Sequence, residues 1–146
     1  MKNTIKFLTI LSMVFTMVSC NNDDDNNQPD PNVVYEATLS GANEVPSNSS
    51  TATGAAILTL NKDTKTFVVK VTHDIANPSM GHIHKAAVGE NGPVIFPFTS
   101  LASPISYTSP VLTDEQIADL NNGLLYVNIH SEALPGGEIR GNLVKK

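Results

Sequence analysis

The sequence predicts an all-β domain, an antiparallel β-sandwich with one short helix. Three observations predict it. From Val33 onward apolar residues recur mostly at every second position, the period of a strand with one face turned inward. Clusters of glycine, proline and asparagine interrupt the alternation at short intervals, as turns between strands do. Only residues 113–123 carry helix start and stop signals instead. At 146 residues the chain is long enough for one domain with its own core.

Residues 1–19 read as a lipoprotein signal peptide. Lys2 and Lys6 form a basic start, and residues 7–18 are uncharged and largely apolar. That stretch is too short to span a bilayer comfortably and suits a signal-peptide core. It ends in Met17-Val18-Ser19-Cys20, which resembles a bacterial lipobox with Met17 in place of the usual leucine. On this reading cleavage makes Cys20 the first residue and the site of lipidation. It is the only cysteine, so an internal disulfide is impossible and a lipid thioether is a sensible use for it. A plain signal peptide with an incidental cysteine is the alternative.

Residues 20–32 are then a lipidated cysteine and an acidic tether. Beyond Cys20 they hold no apolar side chain to offset the entropy of ordering, which predicts disorder. Twelve such residues reach about 40 Å when extended. The run Asp23-Asp24-Asp25 resembles the surface-export signal of some Gram-negative lipoproteins, a solvated spacer being the alternative. It lacks the turn glycine and bidentate acid of a calcium loop. Loss of Lys2 and Lys6 with the leader leaves seven basic residues against 14 acidic, a net charge of −7. That argues against nucleic acid and against electrostatic docking on anionic lipid. Acyl chains attach a protein to the bilayer without a basic patch. The expected location is the bacterial cell envelope, lipid-anchored at the outer membrane, periplasmic or surface-exposed.

The domain proper is expected over residues 33–146. Tyr35, Ala37 and Leu39 mark a first strand, Ala56, Leu58 and Leu60 a second, and Phe67, Val69 and Val71 a third. The polar stretch 61–65 joins the last two as a hairpin. Further strands are expected over residues 81–85, 93–98, 124–130 and 138–144, seven in all. For the helix, Thr113 is a good N-cap, Gln116 completes a capping box, and Asp114 and Glu115 suit the helix dipole. Leu112 and Ile117 are placed for a hydrophobic staple, Ile117 and Leu120 form a narrow apolar face, and Asn122-Gly123 ends the helix. Its expected role is structural.

Polar residues share faces on two of these strands. His82 and His84 point the same way, as do Tyr126, Asn128 and His130. Two imidazoles at i, i+2 can reach one ion, and His130 on a neighbouring strand supplies a third nitrogen, a set suited to zinc or copper. Glu138 is a candidate fourth ligand or a hydrogen-bond partner that orients a ligand. The alternative is that the rings satisfy each other, Asn128 and nearby backbone groups. His73 reads as a strand-end histidine. Glu138 and Arg140 flank Ile139 on one face, where Arg140 is either an anion-recognition arginine or half of a structural ion pair, with Glu44 as a partner.

No residue is assigned a catalytic role. The glycines read as turns and bulges, with no dinucleotide fingerprint, P-loop or nucleophile elbow. Ser131 adjoins His130 but faces the other side of its strand. A lipidated Cys20 excludes thiol catalysis. Tryptophan is absent, which disfavours a sugar-stacking platform, although Tyr35, Tyr107 and Tyr126 remain.

Several pieces in order resemble the CHRD domain, the chordin-type module. They are Leu39-Ser40-Gly41-Ala42-Asn43-Glu44-Val45-Pro46, Ala52-Thr53-Gly54-Ala55-Ala56, His82-Ile83-His84 with Gly92-Pro93-Val94, and Leu112-Thr113 with Leu120. Gly123 to Tyr126 and Val127-Asn128-Ile129-His130 with Pro135-Gly136-Gly137-Glu138-Ile139-Arg140-Gly141 complete the set. Lys85-Ala86 stands where the family usually has a glycine. The resemblance implies a binding module, extracellular in chordin-like animal proteins and secreted or anchored in bacteria. A weaker likeness is to copper/zinc superoxide dismutase, which implies copper ligands at His82, His84 and His130 and an anion-guiding Arg140. The metal-bridging histidine, the zinc loop and the disulfide of that family have no counterpart here. The sandwich is accordingly expected to be immunoglobulin-like or superoxide-dismutase-like. The leading expectation is a non-catalytic module with a protein or glycan partner at the envelope and no required cofactor. The alternative is a copper- or zinc-binding protein, with dismutase-like activity as its furthest extension.

Overall fold

The computed structural model describes residues 29–146. The leader, Cys20 and most of the acidic tether lie outside the described residues. The strands are β1 (Asn32–Ser40), β2 (Thr53–Asn61), β3 (Thr66–His73), β4 (Pro78–Lys85), β5 (Val94–Pro97), β6 (Ile105–Thr108), β7 (Leu125–Ser131), β8 (Ile139–Asn142) and β9 (Val144–Lys145). One 3₁₀ turn, Gly41–Asn43, follows β1, and one α-helix, α1 (Asp114–Asn121), precedes β7. The domain is thus all-β with one short helix, as the alternation predicts.

All nine strands form one antiparallel sheet, ordered β5-β4-β7-β8-β1-β2-β3-β6, with β9 paired to β1. The halves meet at β1 and β8, which share the single register pair Ser40 and Arg140. Across that narrow seam the sheet curls over, so its two ends face each other. Phe67 of β3 meets Phe96 of β5 edge-on, with ring centroids 5.2 Å apart. The two expected layers are therefore halves of one folded sheet. β6 comes in addition to the seven expected strands, and the strand expected over 138–144 breaks at Leu143 into β8 and β9.

The alternating apolar residues fill the space between the halves. Tyr35, Leu39, Leu58, Val69, Val71, Ile83, Val127, Ile129 and Ile139 are fully buried. α1 carries the expected capping box, with Thr113 Oγ1 accepting from Gln116 N–H and Gln116 Oε1 from Thr113 N–H. Leu112 and Leu120 join the core and Ile117 packs against it. Lys85 of β4 ties the helix down through Asp119 at 2.7 Å and Glu115 at 2.9 Å.

β7 departs from simple alternation, being buried at every position from Leu125 to Ser131. Its inner face is core. Its outer face, with that of β4, is roofed by segments 41–50, 86–93 and 132–138. Side chains cross-brace this roof: Asn91 Nδ2 donates to the Val45 carbonyl at 2.7 Å, and Asn48 Nδ2 to the Gly137 carbonyl at 3.1 Å. Gly92 is required here, because a Cβ would collide with the Lys85 carbonyl oxygen. Gly137 sits at φ 135°, and a Cβ there would lie 2.6 Å from Glu44 Oε1.

Candidate functional site

The roofed face gathers the polar residues of β4, β7 and β8. β4 and β7 pair antiparallel, with His84 opposite Tyr126, His82 opposite Asn128 and Met80 opposite His130. His130 therefore lies diagonal to His82, and the three rings cluster. Centroids of His82 and His84 are 5.3 Å apart, those of His82 and His130 5.2 Å, and those of His84 and His130 6.5 Å. One nitrogen from each ring lies within 4.8 Å of the other two. Three donors about 2.0–2.1 Å from one ion stand roughly 3.5 Å apart in a plane, so little more than an ångström of closure is needed.

The backbone fixes which nitrogen is free. His84 Nδ1 lies 2.9 Å from the Gly92 carbonyl, and His130 Nδ1 lies 2.9 Å from the Pro135 carbonyl. A carbonyl only accepts, so both Nδ1 atoms carry the proton and both Nε2 atoms keep a lone pair in the neutral ring. Those two Nε2 atoms and His82 Nδ1 are buried with no hydrogen-bond partner among the described residues. Leaving a buried polar atom unpaired costs about 1–3 kcal/mol. Holding a ring by its second nitrogen on a carbonyl is also how proteins orient metal-binding imidazoles. Burial lowers the pKa of His82, helped by the neighbouring His130 and His84. Burial also lowers that of His84, opposed by the Gly92 carbonyl and reinforced by His130 and Arg140. Neutral rings are the form a metal binds.

Other expected members stand apart. Glu138 lies outside the histidine group, and its Oε1 accepts from Ser50 Oγ at 2.9 Å. His73 ends β3 elsewhere, with Nε2 2.9 Å from the Leu101 carbonyl. Arg140 makes no ion pair with Glu44 or Glu138; none of the ion pairs among the described residues includes it. Although 1 % exposed, it spends its charge on a ring and neutral oxygens. Its Cζ lies 3.7 Å from the Tyr126 centroid, Nη1 donates to Asn91 Oδ1 at 3.1 Å, and Nη2 to the Glu90 carbonyl at 2.9 Å. Tyr126 also stacks on His84, with centroids 4.9 Å apart and planes 6° from parallel. It is thus sandwiched between His84 and Arg140, and its hydroxyl accepts from Gly92 N–H at 3.2 Å.

Glu44 reaches under the roof beside Gly137 and Asn128. Burial lifts its pKa to about 7, against the pull of Arg140 and the Val45 N–H. Glu44 Oε1 and Asn128 Oδ1 are buried without partners among the described residues. A cavity of about 220 Å³ opens beside Glu44, between Pro46, Asn48 and Pro135. The supporting roles of Asn91, Gly92 and Pro135 are not expected from the sequence. The signal for the last two is the pair of glycine-proline turns, whose carbonyl directions no side-chain pattern reveals.

Among the described residues no helix is long and apolar enough to cross a membrane. A family model described as the CHRD domain matches residues 35–143. No curated protein and no solved structure gives a significant match.

Proposed function

Since the chain belongs to the CHRD domain family, a family of binding-type modules, we propose that it is a non-catalytic binding module of the bacterial envelope, anchored through an acylated Cys20. The lipobox-like Met17-Val18-Ser19-Cys20 and the acidic tether support the anchor. The roofed face of β4 and β7 supports the binding role, because cross-bracing presents its loops and the cavity beside Glu44 in one fixed arrangement. Metabolic labelling with a fatty acid tests the anchor. Label and membrane sedimentation in the native chain, both lost in Cys20→Ser, are expected. An unlabelled native chain released to the medium would overturn it.

A second reading names the ligand as a copper or zinc ion held by His82, His84 and His130. One observation favours it: one nitrogen of each ring lies within 4.8 Å of the other two, each ring has a buried nitrogen without a partner among the described residues, and backbone carbonyls hold two of the rings from behind. Elemental analysis after dialysis against trace copper and zinc tests it. About one ion per chain is expected, lost in His82→Ala/His84→Ala. An empty chain would leave the cluster a structural feature and turn attention to protein or glycan partners. Dismutase-like chemistry would require the copper-loaded protein to consume superoxide rapidly.

A further inference from the structure

We propose that the three-histidine site selects monovalent copper over zinc, an inference that rests on the metal-binding reading. The donors carry no charge. Three imidazole nitrogens converge, and among the described residues no acid or thiol joins them. Glu138, on the same side of the sheet, is engaged by Ser50. A bound ion therefore keeps its full charge, two units for zinc and one for monovalent copper.

That charge faces a fixed cation. Arg140 is buried behind Tyr126, whose other face carries the ligand His84. Among the described residues it has no acid within ion-pair distance, and it donates to the neutral Asn91 amide and Glu90 carbonyl. Glu44 is the acid coupled to it, and burial raises its pKa to about 7, so it offsets only part of that charge at neutral pH. A unit charge roughly 10 Å away, at an effective dielectric near 20, changes affinity on the order of tenfold per unit of ionic charge. Zinc meets this penalty twice and monovalent copper once.

Coordination number points the same way. At three imidazoles zinc completes its tetrahedron only by taking in a water, and divalent copper seeks a tetragonal set. A filled-shell monovalent copper ion is satisfied by three nitrogens in a plane.

The test titrates the purified chain at pH 7, anaerobically against a chromophoric chelator of monovalent copper and separately against a zinc chelator. A copper dissociation constant about tenfold below that of zinc is expected. Equal or tighter zinc would overturn the selectivity and leave the metal-binding reading standing. Failure to hold either ion against its chelator would overturn both. Glu44→Gln removes the partial compensation in a side chain of the same shape. It should weaken zinc by the square of the factor by which it weakens copper, and equal factors would overturn the charge argument.

Discussion

Glu44 and the histidines it shares a roof with pull stability in opposite directions with pH. Glu44 keeps its proton in the folded chain up to about 7, against an ordinary 4.5. Between those values the folded state binds the extra proton, so this group makes stability fall as pH rises from 4.5 to 7, by about 3 kcal/mol in total. His82 and His84 have folded pKa values below 6.5. The unfolded chain takes up those protons first, so the rings make stability fall as pH drops below 6.5. Urea midpoints measured from pH 5 to 8 separate the two. Glu44→Gln is expected to be more stable than the native chain at pH 8 and to keep the acid-side loss due to the rings. A native-like profile in Glu44→Gln would show that the carboxyl is solvated. At this scale the meeting of His82, His84 and His130 was legible, because period two puts alternate residues on one face. The burial of Arg140 against Tyr126 was not, since opposite charges suggested a pair while the register of β7 and β8 supplied a ring.

Elements were legible where one face alone enters the core. Phe67, Val69 and Val71 alternate with outward residues, and β3 follows them. β6 is four residues set among serines and prolines, too short for periodicity to register, and β3 recruits it as a partner. β9 is two residues paired to β1. The helix was legible through its cap, since both halves of a capping box are residue identities at fixed spacing. Thr113→Ala is expected to cost about 1 kcal/mol, while Thr113→Ser recovers most of it. Measured by urea unfolding, an alanine variant with native stability would mean that Lys65 and Lys85, which bind Asp114, Glu115 and Asp119, hold the helix without its cap.

Residues 29–146 form a curled sheet with an apolar interior and, on the outside of one half, a smaller polar interior under three loops. The first is held by area removed from water. The second rests on hydrogen bonds that leave atoms on Glu44, Asn128, Arg140 and three histidines without a partner among the described residues. Unpaired buried atoms make the roofed half the place where a ligand adds most to stability. On the metal-binding reading, an ion held by the three rings would bind only the folded arrangement, because His130 comes from β7 and the two other rings from β4. A free ion at a hundred times its dissociation constant should therefore stabilise the chain by about 2.7 kcal/mol. With a urea slope of about 1–3 kcal/mol per molar for a small domain, the midpoint should rise by roughly 1–3 M. The same addition should leave His130→Ala, which keeps only the two rings of one strand, close to its metal-free midpoint. Equal shifts in both proteins would place the ion away from the cluster. No shift in the native chain, with His130→Ala more stable than native, would make the three rings a strained structural feature instead.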